Sequence, residues 1–482
     1  TPIRPGRLII NGEAVDAASG RAFTTMNPAT EAPICEVAEA GAEDVERAVR
    51  AARAAFESGP WPRMRPAERQ RILFRLGDLI LEHGDELGRL ETLDNGKPIF
   101  ESRQIDVPMA ANCFHYFAGW ATKLAGETLP VSPAFLTYTL REPLGVVAAI
   151  IPWNFPMIMV GWKCAPALAA GNTVILKPAE LTPLTAIRIG ELALEAGLPP
   201  GVLNVLPGPG SVAGEALVKH PGVDKVTFTG STPVGQRIMR LAADTVKKVT
   251  LELGGKSPNI VFADADLDAA VRGVSTGIFY GKGEVCAAGS RLLVEASIHA
   301  EFVAKLAERA KKLQPADPLD PKTRLGALVS EAQMKKVLGH VESGVAEGAR
   351  LVAGGRRQPV DGKGWFVQAT VLDAVENSMR VAQEEIFGPV LAVIPFDGVD
   401  DAVAKGNDIR YGLAAGVWTK DVKKAHAVAR RLQAGTVWVN AYNFYDAGMP
   451  FGGFKQSGFG RDLGPECLRE VTQVKSVWVN LE

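Results

Sequence analysis

The chain has 482 residues, which allows two to four domains at roughly 100–200 residues each. Hydrophobic residues make up 47% and charged residues 22%, with a formal net charge of −1, so neither nucleic acid nor an anionic membrane is favoured as a partner. Five scattered cysteines without a CxxC, and six histidines without HExxH spacing, argue against a disulfide framework, a zinc ribbon or a zinc hydrolase.

The N-terminal TPIRPGRLIING contains no apolar stretch of signal-peptide length. A cytoplasmic location is expected, or an organelle matrix if a targeting segment has been removed. RLIING and the turn after it predict a short strand pair. In DVERAVRAARAAF, apolar residues at 45, 48, 49, 52, 55 and 56 predict a helix. ERQRILFRLGDLILEHGDEL predicts a second helix with one solvated charged face.

Residues 144–162, LGVVAAIIPWNFPMIMVGW, carry no charge over 19 positions. Pro152, Asn154 and Pro156 interrupt the stretch, and Lys163 follows it. It therefore predicts a buried strand, a loop and a buried helix rather than a membrane span.

From 146 onward, VVAAII, TVILKP, VLNVLPG, KVTFTG and KVTLELGG recur about every 25 residues as β-branched runs. Helical segments such as PLTAIRIGELALEAG lie between several of them, the last closing on a glycine where a C-cap belongs. The alternation predicts an α/β fold with a parallel sheet covered on both faces, and ligands beyond the carboxyl ends of its strands. The same alternation resumes from 257 to about 450, predicting a second α/β region that contributes Cys286.

The strand ends carry the candidate chemistry. FTGSTPVGQ places Gly230, Ser231 and Gly235 between a strand and a helix, where backbone N–H groups can cradle a phosphate; a plain tight turn fits as well. In KPAE, Glu180 can bind ribose hydroxyls and Lys177 a ribose or phosphate, or the Glu simply opens a helix. In LELGGKSP, Glu252 in a poorly solvated cleft is a candidate general base, or a capping or ion-pairing carboxylate. In PWNFP, Asn154 is a candidate donor to an oxyanion, or an Asn that satisfies its own turn. In GKGEVCAAGSR, Cys286 is a candidate nucleophile, or one more small buried residue. Together these groups supply a thiol, a carboxylate, an amide donor and a dinucleotide cradle, a set suited to oxidising an aldehyde through a thioester.

PWNFP, KPAELTPL, FTGSTPVG, LELGGKSP, GEVCAAGSR, EEIFGPV and PFGGFKQSGFGR, in that order, resemble the NAD(P)-dependent aldehyde dehydrogenase superfamily along essentially the whole chain. The resemblance implies a Rossmann-like cofactor domain (1–124 and 144–253), a second α/β catalytic domain (254–455) and a small β oligomerisation arm (125–143 and 468–482) that makes a dimer or tetramer. It implies Cys286 as nucleophile, Glu252 as base, and the Asn154 side chain with the Cys286 N–H as oxyanion hole. Lys177 and Glu180 would hold the adenosine ribose, and Gly230, Ser231 and Gly235 the pyrophosphate. Ile151, Trp153, Glu385 and Phe387 would complete the cofactor site. NAD is the implied cofactor, with NADP as a second candidate.

The resemblance also implies a substrate tunnel lined by Phe155, Met159, Trp162, Glu284, Val285, Ala287, Tyr445 and Phe451. None of these is Arg or Lys, so apolar aliphatic or aromatic aldehydes are expected. Glu284, where many members have Gln, leaves a cationic aminoaldehyde as an alternative. Gln473 stands where many members carry a Glu thought to help relay protons from the base. A non-redox thiol esterase, or a binding protein that kept the fold, are the remaining alternatives, and KPAE with FTGSTPVG weighs against the first.

Overall fold

The structure, a computed structural model, describes residues 3–482. Two twisted sheets dominate it. In the first, five parallel strands run in the spatial order Leu203–Val205, Thr173–Lys177, Val146–Ile150, Lys225–Thr229, Lys248–Glu252. Numbered along the chain, that order is 3-2-1-4-5, the doubly wound arrangement whose switch point lies between the first and fourth strands. Antiparallel additions close both edges: Leu8–Ile10 with Glu13–Val15 on one side, Gly458–Phe459 on the other.

The second sheet has seven strands in the order Arg350–Ala353, Thr370–Asp373, Val390–Phe396, Arg291–Glu295, Pro258–Val261, Ala414–Trp418, Thr436–Val439. Only Arg350–Ala353 runs antiparallel to its neighbour. The central strands of both sheets are buried along their length, as expected for parallel strands covered by helices on both faces. Phe135–Pro143 and Thr472–Asn480 pair separately as an antiparallel ribbon, Thr472 opposite Pro143 through Asn480 opposite Phe135.

The apolar stretch at 144–162 resolves into the strand Val146–Ile150, a loop, and the helix Pro156–Ala169, every residue of which is buried. Among the described residues no helix is long and apolar enough to cross a membrane. The helix predicted over ERQRILFRLGDLILEHGDEL is two helices, Pro66–Glu82 and Gly84–Asn95, broken at His83. Its uniform charged face hides that break. The second helix runs on to Asn95 and is closed by Gly96 at φ 84°, a left-handed C-cap.

Candidate active site

Loops beyond the carboxyl ends of the first sheet's strands meet, across one cleft, loops that lead into strands of the second. Ile151 to Asn154 follow the first parallel strand, and Gly230 and Ser231 follow the fourth, so both flank the switch point. Cys286 comes from the other half of the molecule, on the loop after the helix Leu267–Phe279. Gly281, Lys282 and Gly283 turn that loop with φ of 55°, 62° and 72°. A Cβ at Gly283 would strike the carbonyl of Gly388, so only glycine fits where this loop touches the EEIFGPV segment.

The Asn154 side-chain amide donates to the Glu284 carbonyl oxygen at 2.9 Å, two residues before Cys286. An amide carries two N–H donors, so the second is left for another acceptor. Burial pushes the Cys286 thiol up to about 12, with the Glu385 and Glu252 carboxyls adding to the rise; the N–H groups of Ala287 and Cys286 work the other way. Burial thus holds the Cys286 thiol toward its neutral form.

Glu252 ends the fifth parallel strand and is 4% exposed. Burial raises its pKa well above the usual carboxyl value, and Asp462 raises it further; Lys163 and Arg461 oppose this. Neither of its carboxyl oxygens has a hydrogen-bond partner among the described residues. The side chain lies against Gly452 and is not part of the wall of the cavity that Cys286 borders. The resting geometry thus brings Asn154 to the Cys286 loop but leaves Glu252 turned aside.

Gln473 does not contribute to this environment. It is exposed on the antiparallel ribbon opposite Glu142. The charged pair near Glu252 is Lys163 with Asp462, buried at 2.6 Å. Sequence spacing gave no signal for this pair, because the partners are 299 residues apart.

The cofactor candidates lie along the first sheet. Lys177, 3% exposed at a strand end, has its Nζ 3.3 Å from Glu180. Burial lowers its pKa, and Glu180 counters this. Ser231 is the N-cap of the helix Thr232–Ala243, yet its side chain makes no cap bond, so the first-turn N–H groups stay open to an anion. Gly235 serves packing: a Cβ there would press into Leu253 at 2.6 Å. Ile151 is buried and donates its N–H to the Lys177 carbonyl.

Glu385 accepts from the Gly255 N–H at 3.1 Å, and burial pushes its carboxyl up to about 7. Phe387 sits at φ 62°, a strained conformation for an aromatic residue, and meets Trp153 edge-on at 5.2 Å. Gln333 holds that loop through the carbonyls of Phe387 at 2.6 Å and Ile386 at 3.2 Å. The amide of Asn95 and the hydroxyl of Thr182 both donate to the Trp153 carbonyl. Gln333, Asn95 and Thr182 are site-shaping residues that sequence motifs do not reveal, since each acts through a distant backbone. The open helix end, the buried Lys177 and the held Glu385 fit a dinucleotide.

Cys286 borders a cavity of about 390 Å³. Phe155, Met159, Trp162, Val285, Tyr445 and Phe451 line it, as expected. Trp162, Tyr445 and Phe451 form a mutual aromatic cluster with centroids 5.3–6.0 Å apart. Two expected lining residues are not there. Glu284 is fully buried behind the loop, 2.7 Å from Lys282 and accepting from the Val329 N–H. Ala287 is also buried, its carbonyl taken by the Tyr442 hydroxyl. The resemblance implied both positions, but the path of this irregular loop decides which side chains face inward. The wall also includes Arg272, so it is not free of cationic groups; Arg272 is exposed and borders a second, surface groove, which places it at the solvent end.

The aldehyde dehydrogenase family profile matches residues 14–477. The chain belongs to the aldehyde dehydrogenase family. Human mitochondrial aldehyde dehydrogenase is 49% identical over 478 residues, covering 98% of this chain and 92% of that protein. An NAD+ complex of the Bacillus cereus aldehyde dehydrogenase superposes with a TM-score of 0.98 at 49% identity, covering 99% of this chain and 97% of that one. A P. syringae AldA indole-3-acetaldehyde dehydrogenase mutant, in complex with NAD+ and IAA, gives 0.97 at 49% identity, covering 99% and 97%. This aldehyde dehydrogenase is an enzyme that oxidises aldehydes with NAD(P).

The raised thiol gives a direct test. Carbamidomethylation of Cys286 by iodoacetamide, followed by mass spectrometry on cofactor-free protein, should rise roughly tenfold per pH unit from 7 to 10. Labelling that levels off below pH 9 would contradict a thiol raised this far.

Proposed function

We propose that this enzyme oxidises apolar aliphatic or aromatic aldehydes with NAD(P) through a Cys286 thiohemiacetal and thioester, with NAD preferred over NADP. The observation that carries this reading is Cys286 on the wall of an aromatic-rich cavity, with the Asn154 amide bonded to its loop two residues before it. The Cys286 thiol gives up its proton to solvent water, its sulfur adds to the aldehyde carbon, and the developing oxyanion lies against the second Asn154 N–H and the Cys286 N–H. Bound NAD(P) supplies the hydride acceptor. Lys177 and Glu180 hold the ribose, the Ser231 helix end faces the pyrophosphate, and Glu385 with Phe387 orients the nicotinamide side.

Glu252, turned from its place against Gly452 toward the thioester, takes a proton from the attacking water. Burial raises its pKa well above the usual carboxyl value, so the ionised, proton-accepting form gains and hydrolysis quickens as pH rises through that raised value. Glu180 stands where a 2′-phosphate would lie, which disfavours NADP.

The substrate reading rests on the cavity wall. An apolar chain gains at best about 0.8 kcal/mol per buried methylene. A short semialdehyde would place its carboxylate in the apolar interior, out of reach of the solvent-end Arg272. The aminoaldehyde alternative loses its footing because Glu284 is committed to Lys282. The AldA neighbour, named for indole-3-acetaldehyde, is consistent with an aromatic substrate. The exposed Leu136, Leu140 and Trp478 of the ribbon favour self-association as a dimer or tetramer through this edge.

An NADH-formation assay across an aldehyde panel tests the main reading. kcat/KM should rise from acetaldehyde to hexanal or phenylacetaldehyde, stay low for succinic semialdehyde and exceed the value with NADP; Cys286→Ala should abolish turnover while keeping NAD binding. Succinic semialdehyde as best substrate, or turnover in the alanine variant, would overturn it. Stopped-flow on Glu252→Gln should keep a burst of about one equivalent of NADH and slow the steady state. Loss of that burst with cofactor bound would mean that Glu252 also activates the thiol. Sedimentation of Trp478→Asp should show a smaller species than wild type, and an unchanged assembly would place the interface elsewhere.

A further inference from the structure

We propose that Lys282, Glu284 and Asn95 form a buried positioning network that holds the oxyanion loop and the nucleophile loop in register. The inference rests on the thiol mechanism above and assigns residues that do not themselves touch the reacting atoms.

Lys282 sits between two glycines in the left-handed region, where a side-chain-bearing residue is disfavoured. Something must hold it there, and its ammonium is the evident anchor. Nζ donates to the Asn95 carbonyl at 2.8 Å and to Asn95 Oδ1 at 2.6 Å, and lies 2.7 Å from Glu284 Oε2. The Lys282 and Glu284 side chains are each 1% exposed, and Asn95 is inaccessible. Asn95 ends a helix, so its carbonyl also presents the negative end of the helix dipole to the ammonium.

From these three residues, bonds run to both sides of the site. The Asn95 amide donates to the Trp153 carbonyl at 2.8 Å, immediately before Asn154. The backbone carbonyl of Glu284 accepts the Asn154 side-chain amide at 2.9 Å, and its carboxylate accepts the Val329 N–H at 3.0 Å. The Gly281 N–H is held in turn by the buried Glu101 carboxylate at 3.2 Å. Segments 187, 130 and 58 positions apart in sequence are thus tied at the point where the two oxyanion donors must face one acceptor. Neither the Lys282 nor the Glu284 side chain borders the substrate cavity, which separates positioning from substrate recognition.

Lys282→Gln and Glu284→Gln each strand one member of the buried ion pair, whereas the double variant K282Q/E284Q removes both charges of that pair. Each single variant should lower kcat for NADH formation about 10- to 100-fold, with KM for NAD within about twofold of wild type. Hydrolysis of p-nitrophenyl acetate without cofactor, which needs the same thiol and oxyanion donors, should fall in parallel. The double variant should recover to within about fivefold of wild type. A merely structural role would lower the melting temperature and leave kcat per folded molecule unchanged, which overturns the proposal, as does a double variant no better than the worse single one.

If a single variant fails to fold, Asn95→Ser gives the same reading, since it keeps the ion pair and removes the side-chain link to the Trp153 carbonyl. A fall in kcat at constant KM for NAD supports the network, and an unchanged kcat overturns it. Wild-type protein that forms no NADH defeats the proposed reaction, and with it this inference. Active wild type with unaffected variants defeats the positioning role alone.

Discussion

The hydrogen bond from the Asn154 amide to the Glu284 carbonyl joins the two halves of the molecule. Asn154 hangs from the first sheet at its switch point, and Glu284 belongs to the loop that leads into the second. Neither loop has regular secondary structure to set its path. Their relative position is decided by polar atoms that meet at 2.6–3.0 Å in a dry interior, where an unmade bond is costly. Everything proposed for the chemistry depends on this meeting, since a nucleophile and an oxyanion donor act together only within about an ångström of their working separation.

The electrostatics of the site follow from the same dryness. Burial is the largest influence on Cys286, Glu252 and Glu385, and it pushes all three toward their neutral forms. A thiol held toward its neutral form is a weak nucleophile. The reading above therefore needs proton movement as part of turnover, with Glu252 leaving its place beside Gly452. Lys163, paired with Asp462, is a cationic counterweight and with Arg461 opposes the rise at Glu252.

Strain is spent at two loops that frame the cleft. Lys282 and Phe387 both hold positive φ, at about 1–3 kcal/mol for such a residue, and each is fastened by partners from far along the chain. Lys282 uses Asn95 and Glu284; Phe387 uses Gln333 and Trp153. In both cases the strained residue presents an adjoining backbone or ring to the site while its anchors stay behind it.

The parallel strands, the buried helix after Asn154 and the ordered motifs were legible in the amino-acid sequence, because β-branched runs and apolar spacing report burial locally. The family resemblance, carried by seven motifs in order, named Cys286, Asn154 and Glu252 before any geometry. Other features were decided only by the tertiary structure. The family resemblance implied Glu284 as a tunnel residue, yet a left-handed turn points it backward into an ion pair with Lys282. Gln473 stands where the resemblance puts a proton-relaying Glu, and the strand pairing leaves it exposed. Arg272 reaches the cavity from a helix whose sequence is otherwise ordinary. The division has a physical cause: periodicity encodes which face of an element is buried, whereas the direction of a loop side chain is set by contacts hundreds of residues away.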